Sequence, residues 1–214
     1  MSDPGGDRRR SLAATVAGIE SKLDEANRAR EQALPACRRA IRAAGSSIRA
    51  VHRLDDIAAA ALAAEAEAAV REAQGVLVPF PAVGHAGFLH DAEKEYVEAR
   101  CVAALVAGGP LPGPDELAVS PTAWMRGLAE AASELRRHLL DRLREGDLAR
   151  GEGLLVAMDD VYGALVAVDY PDALTNGLRR TLDALRAVLE RSRGDVTTTV
   201  LQTRLQRAIE GDAQ

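Results

Sequence analysis

The chain has 214 residues, of which 47% are hydrophobic but only 3% aromatic, and its formal net charge is −5. This length suffices for one buried core, and an apolar fraction made of Ala, Leu and Val favours closely packed helices. The acidic balance excludes nucleic-acid binding through a globally basic surface, so any such surface must be local. No apolar run reaches the roughly 20 residues of a membrane-spanning helix and no signal-peptide core follows the start, so we expect a cytoplasmic protein without membrane contact.

Helical periodicity extends through most of the chain. Residues 1–10 lack it and predict a disordered segment, whereas 11–214 predict one helical domain. The long first helix contains Pro35, which predicts a kink or a division into two pieces. Further helices are predicted over 54–73, 85–106 and 121–145, along the apolar rows of 154–168 and 178–189, and after Gly194. The predicted fold class is all-α, a single-domain bundle of about six or seven helices.

Acidic side chains recur one turn apart on two predicted helices. On the third helix Asp91, Glu95 and Glu98 share one side, in line with apolar positions. Glu130 and Glu134 form a second pair on the fourth helix. If the helices pack side by side, Glu95, Glu98 and the second pair can hold Mg²⁺ or Mn²⁺, which prefer hard oxygen ligands. Such pairs are also common on solvated helices, so spacing alone leaves both interpretations open.

Other chemistries have less support in the sequence. A ferritin-like dimetal bundle needs a Glu-x-x-His step on two helices, but Glu134 and His138 are four residues apart and no such step occurs. Cys37 and Cys101 have no partner at metal-site spacing, and we expect both to be reduced. P-loop, GxSxG and paired CxxC motifs are missing. A carboxylate site for a hard divalent ion is therefore the metal chemistry that the sequence favours.

A local basic stripe lies on the first predicted helix. Its four arginines fall within an arc of about 60° at 100° per residue, and they are Arg38, Arg42, Arg49 and Arg53. Arginine binds phosphate bidentately, so this stripe could follow an RNA backbone. A solvated face that forms salt bridges explains the same pattern, and both interpretations stay open.

Several segments together resemble the translin superfamily, which contains translin and translin-associated factor X. They are ASELRRHLLDRLREGDL at 132–148, MDDVYGALVAVDYPDAL at 158–174 and LERSRGDV at 189–196. Their order and spacing are similar to that all-helical fold over most of the chain. EYVEA at 95–99 resembles the catalytic stretch of the factor X branch, an endoribonuclease whose acidic residues bind Mg²⁺. The resemblance therefore implies Glu95 and Glu98 as catalytic metal ligands.

The same resemblance implies Glu130 and Glu134 as the second pair of catalytic metal ligands. Glu130 stands where the factor X branch has Asp, so its reach is one methylene longer. Because 132–134 looks more like translin, the mixed features fit an archaeal- or prokaryotic-type subunit that forms a homo-oligomer, an octamer in the family.

The resemblance implies a Mg²⁺-dependent endoribonuclease that cleaves single-stranded RNA inside such a shell. Single-stranded DNA is a further ligand class. Confinement is expected to admit flexible single strands and to exclude rigid duplex. The alternative is a translin-like protein that binds single-stranded RNA or DNA without cutting it.

Overall fold

The fold, in a computed structural model that describes residues 4–211, is built from helices and, within that range, contains no β-strand. Six long helices and two single-turn helices occur there, so the all-α prediction is confirmed. In chain order they are α1 (Pro4–His52), α2 (Asp56–Leu77), α3 (Pro81–Gly84), α4 (Phe88–Ala107), α5 (Pro121–Arg144), α6 (Leu148–Val166), α7 (Asp172–Thr175) and α8 (Leu178–Gly211).

The first helix is continuous from Pro4 to His52. The sequence predicts a disordered segment over 1–10; residues 4–10 are helical in the structure, while residues 1–3 lie outside the described part. Arginine is a good helix former, and Arg10 pairs with Asp7 at 3.3 Å, so local interactions favour the helix here. Pro35 lies inside α1 and does not divide it. The assignment of 11–214 to one domain remains a prediction.

Side-chain caps and turn glycines set several helix ends. The Asp55 carboxylate accepts a hydrogen bond from the backbone N–H of Ala58 at the start of α2, and Ser120 caps α5 in the same way. Gly108 ends α4 in the left-handed conformation, which glycine adopts without strain. Gly194, by contrast, does not end a helix. The predicted sixth and seventh helices are one continuous α8.

The centre of the fold is the packing of α1 against α2 and α4, and of α4 against α5, while α6 and α8 cover the far side of α5. The face that α1 turns inward is mainly alanine, and its fully buried positions include Ala33, Ala36, Ala40 and Ala44. Small side chains let helix axes approach closely. No helix in 4–211 combines the length and the apolar character needed to cross a membrane.

Candidate metal centre

Gly127 of α5 sets how closely α4 and α5 approach. A Cβ at this position would lie 2.6 Å from the backbone oxygen of Lys94 and 2.7 Å from the Cβ of Val97. Only glycine therefore fits between the two helices at this separation. Glu130 lies three residues after Gly127, which is slightly less than one helical turn, so its carboxylate reaches the same part of α4. Sequence reasoning missed Gly127, although a glycine inside a helical pattern indicates close packing.

Three of the four predicted acidic ligands meet at this contact. Glu95, Glu98 and Glu130 each offer a carboxylate oxygen, and these oxygens lie within 4.8 Å of one another. All three residues are partly buried. Burial, followed by the charges of Glu95 and Glu130, raises the pKa of Glu98 to about 8. We call these three residues the carboxylate cluster.

A lysine ammonium neutralises part of the carboxylate cluster. The Nζ atom of Lys94 donates to Glu95 Oε1 at 2.9 Å and also to Glu130 Oε2. The Lys94 side chain is only 11% exposed, and its bonds to the two carboxylates raise its pKa against the opposing effect of burial. Arg126 lies one helical turn before Glu130, and its Nη2 is 3.8 Å from Oε1 of Glu130.

The carboxylate cluster fits a hard divalent ion. Its donor atoms are all carboxylate oxygens, the ligand type that Mg²⁺ and Mn²⁺ prefer. The Lys94 ammonium, bonded to two of the three carboxylates, shows that a cation is accommodated at this position. The longer side chain of Glu130 does not keep it out of the group.

Glu134 lies outside the carboxylate cluster. Its Oε1 is 2.7 Å from Nε2 of His52, which belongs to the last turn of α1. The His52 side chain is only 2% exposed, and its Nδ1 is buried with no hydrogen-bond partner among the described residues. His52 thus fixes the position of the Glu134 carboxylate. Because 82 residues separate His52 from Glu134, spacing along the sequence gives no signal for this contact.

The arginine stripe of α1 is accessible to solvent. All four of its residues are exposed, and among the described residues none of them forms a salt bridge with a carboxylate. Arg49 and Arg53 flank His52 in sequence, so the stripe ends near Glu134. The remaining candidate, Asp91, is exposed at the start of α4 and does not join the carboxylate cluster.

Both cysteines are free, and both are buried. Burial raises the pKa of Cys37 to about 11 and that of Cys101 to about 12. Thiols with such high pKa values stay protonated near neutral pH and are poor nucleophiles. They belong to the core.

A curated relative matches about half of the chain. It is an uncharacterised protein of Methanocaldococcus jannaschii, 31% identical over 121 residues, which make up 56% of this chain and 54% of that protein. The chain thus spans about half the length of this relative. No family model matches.

Solved structures match most of the chain. The crystal structure of AfC3PO has a TM-score of 0.81 and 28% identity, over 88% of this chain and 98% of AfC3PO. A complex of AfC3PO with duplex RNA has a TM-score of 0.73 and 29% identity, over 88% and 97% of the two chains. Apo-NeC3PO has a TM-score of 0.77 over 86% and 96%, and at 17% identity it shows the fold alone.

Proposed function

Because this chain has the translin-superfamily fold of the C3PO proteins, we propose that it is an endoribonuclease that uses Mg²⁺ or Mn²⁺ to cleave single-stranded RNA inside a homo-oligomeric shell. The observation that carries the proposal is the carboxylate cluster at the contact between α4 and α5. The complex of AfC3PO with duplex RNA supports RNA as the ligand class. It also makes duplex RNA a necessary comparison substrate.

The protein side chains in this proposal bind and orient the reacting groups. Glu95, Glu98 and Glu130 hold the divalent ion, which supplies Lewis-acid stabilisation of charge on the phosphodiester. Glu134 is the fourth proposed ligand, and its bond to His52 keeps the carboxylate oriented, as outer groups do at metal sites.

Cleavage of a labelled RNA tests the proposal. Single-stranded RNA and a duplex of the same sequence are incubated with the protein in Mg²⁺ and in EDTA. We expect cutting of the single strand in Mg²⁺ only, and its loss in Glu98→Gln and Glu134→Gln. Glu152→Gln is the matched control, because Glu152 is exposed on α6. Full activity of either site variant, or cutting in EDTA, would contradict the assignment.

Exposed apolar residues support the homo-oligomer. Four residues at steps of four, three and four form one stripe along the solvent-exposed part of α1, with exposures from 43% to 63%, and they are Leu12, Val16, Ile19 and Leu23. This spacing is that of helices which pair through an apolar seam. We propose that a second copy of the chain covers the stripe, within an octamer like those of the family. Light scattering of the purified protein measures the subunit number.

The arginine stripe favours a second candidate function, which is binding of single-stranded RNA or DNA without cleavage. Exposed arginines with no carboxylate partner in the described chain are available for phosphates. Binding would then be salt-sensitive, independent of Mg²⁺, and lost in a variant carrying Arg49→Glu and Arg53→Glu. Changing the exposed Arg180 and Arg191 of α8 to Glu gives the same charge change as a control. This candidate would be excluded if binding depended neither on the salt concentration nor on the substitutions at Arg49 and Arg53.

A further inference from the structure

The chain uses lysine at only two positions, and one of them is inside the carboxylate cluster. Of its 27 basic side chains, 25 are arginine, and the two lysines are Lys22 and Lys94. Lys22 is exposed on α1, whereas Lys94 is buried against α5. The two side chains differ chemically, because an ammonium is a compact point charge on a flexible stem and a guanidinium is a planar fork.

Lys94 binds the same carboxylates that are proposed to hold the divalent ion. Its Nζ donates to Glu95 at 2.9 Å and to Glu130, while Glu98 lies within 4.8 Å of both carboxylates. Without a cation nearby, three carboxylates at this separation would repel one another strongly. Lys94 therefore neutralises one negative charge of the carboxylate cluster before any ion arrives.

We propose that Lys94 is a resident counter-cation that exchanges with the divalent ion. An ammonium and a doubly charged ion cannot both lie between Glu95 and Glu130, because the two cations repel each other and compete for the same oxygen lone pairs. The four-carbon stem of Lys94 lets the ammonium leave while the backbone of α4 stays packed on Gly127. The exchange keeps the carboxylates assembled in the metal-free protein and weakens metal binding. This inference rests on the proposed metal site and not on cleavage.

Metal titration of lysine variants is the first test. Mn²⁺ binding is measured by calorimetry without RNA for the unmodified protein, for Lys94→Gln and for the exposed control Lys22→Gln. Removing the competing ammonium is expected to tighten binding at least about tenfold, the size of effect that one charge a few ångströms away has on proton binding to a carboxylate. Lys22→Gln is expected to bind like the unmodified protein. Equal or weaker binding by Lys94→Gln, or binding by neither protein, would overturn the proposal.

The second test observes the lysine directly in the unaltered protein. Protein labelled with ¹³C at lysine Cε gives two signals, one for each lysine, and Lys22→Gln assigns them. Addition of Mg²⁺ is expected to move the Lys94 signal toward that of a solvated lysine and to leave the Lys22 signal in place. A Lys94 signal that stays unchanged when Mg²⁺ saturates the site would show a purely structural ion pair. If the signal moves but RNA is not cut, the exchange stands and the nuclease proposal fails.

Discussion

Replacing Gly127 by alanine tests whether the close approach of α4 and α5 brings the residues of the candidate metal centre together. The added Cβ would lie 2.6 Å from a backbone oxygen and 2.7 Å from the Cβ of Val97. Neither atom can move without its helix, so the two helices must separate. Overpacking of this kind costs roughly 1–3 kcal/mol, whereas alanine gains about 1 kcal/mol over glycine in a helix interior. The free energy of unfolding of Gly127→Ala is therefore expected to be unchanged at one extreme and about 2 kcal/mol lower at the other.

Gly194→Ala is the matched control for this prediction. Gly194 is in the interior of α8, and nothing lies within 4 Å of a Cβ built there. This variant should gain about 1 kcal/mol of stability from helix propensity alone. The difference between the two variants in urea denaturation therefore isolates the crowding cost, about 1–3 kcal/mol.

Metal binding gives the functional half of the experiment. If separation of the helices moves Glu130 away from Glu95 and Glu98, Gly127→Ala should bind Mn²⁺ more weakly while Gly194→Ala binds it normally. The reasoning would be refuted if Gly127→Ala stabilised the protein as much as Gly194→Ala does, or if it bound Mn²⁺ with unchanged affinity.

Three further predictions follow from the same contacts. Burial and neighbouring carboxylates raise the pKa of Glu98 to about 8 from 4.5. Between these pH values the folded state keeps a proton that the unfolded state releases. The stability of the protein in EDTA should therefore fall as the pH rises from 4.5 to about 8. Glu98→Gln should flatten that fall in thermal melts; an unchanged slope would disprove the shift. His52→Leu removes the 2.7 Å contact from Nε2 to Glu134 and should lower kcat about 10–100-fold, as loss of outer-shell partners does. Kinetics at saturating RNA measure this, and an unaltered kcat would exclude the role. Ile19→Glu with Leu23→Glu places charge in the exposed α1 stripe and should reduce the mass found by light scattering, whereas an unaltered mass would show that this face is free.

The sequence predicted those parts of the fold that depend on local pattern. The predicted ranges 85–106 and 121–145 agree with α4 (Phe88–Ala107) and α5 (Pro121–Arg144) to within three residues at each end, because caps and turns act over a few residues. The break predicted at Gly194 was wrong for a non-local reason. Leu189 and Val196, on either side of it, are buried in the core and hold α8 continuous, which offsets the cost of about 1 kcal/mol for a helical glycine.

The candidate site was predictable in its residue types but not in its register. Spacing places Glu130 and Glu134 on one side of α5, yet it cannot tell which turn of α5 faces Glu98. The structure sets this register through Gly127, so that Glu130 joins the carboxylate cluster and Glu134 meets His52. Resemblance to the translin superfamily supplied the four acids as a set, and it gave no information on their cationic partners.

The electrostatics of the contact between α4 and α5 argue that it is built for binding and not for stability. An interface made only to hold two helices would be apolar, as the alanine-rich face of α1 is. Here three partly buried carboxylates lie within 4.8 Å of one another, and their mutual repulsion is offset by Lys94 and Arg126. Ion pairs at such depth seldom stabilise more than apolar side chains would. Strongly perturbed groups that converge in this way are typical of functional sites. Under the proposed function, the carboxylate cluster is thus where the chain gives up stability in order to bind a cation, and Lys94 limits that loss before the cation binds.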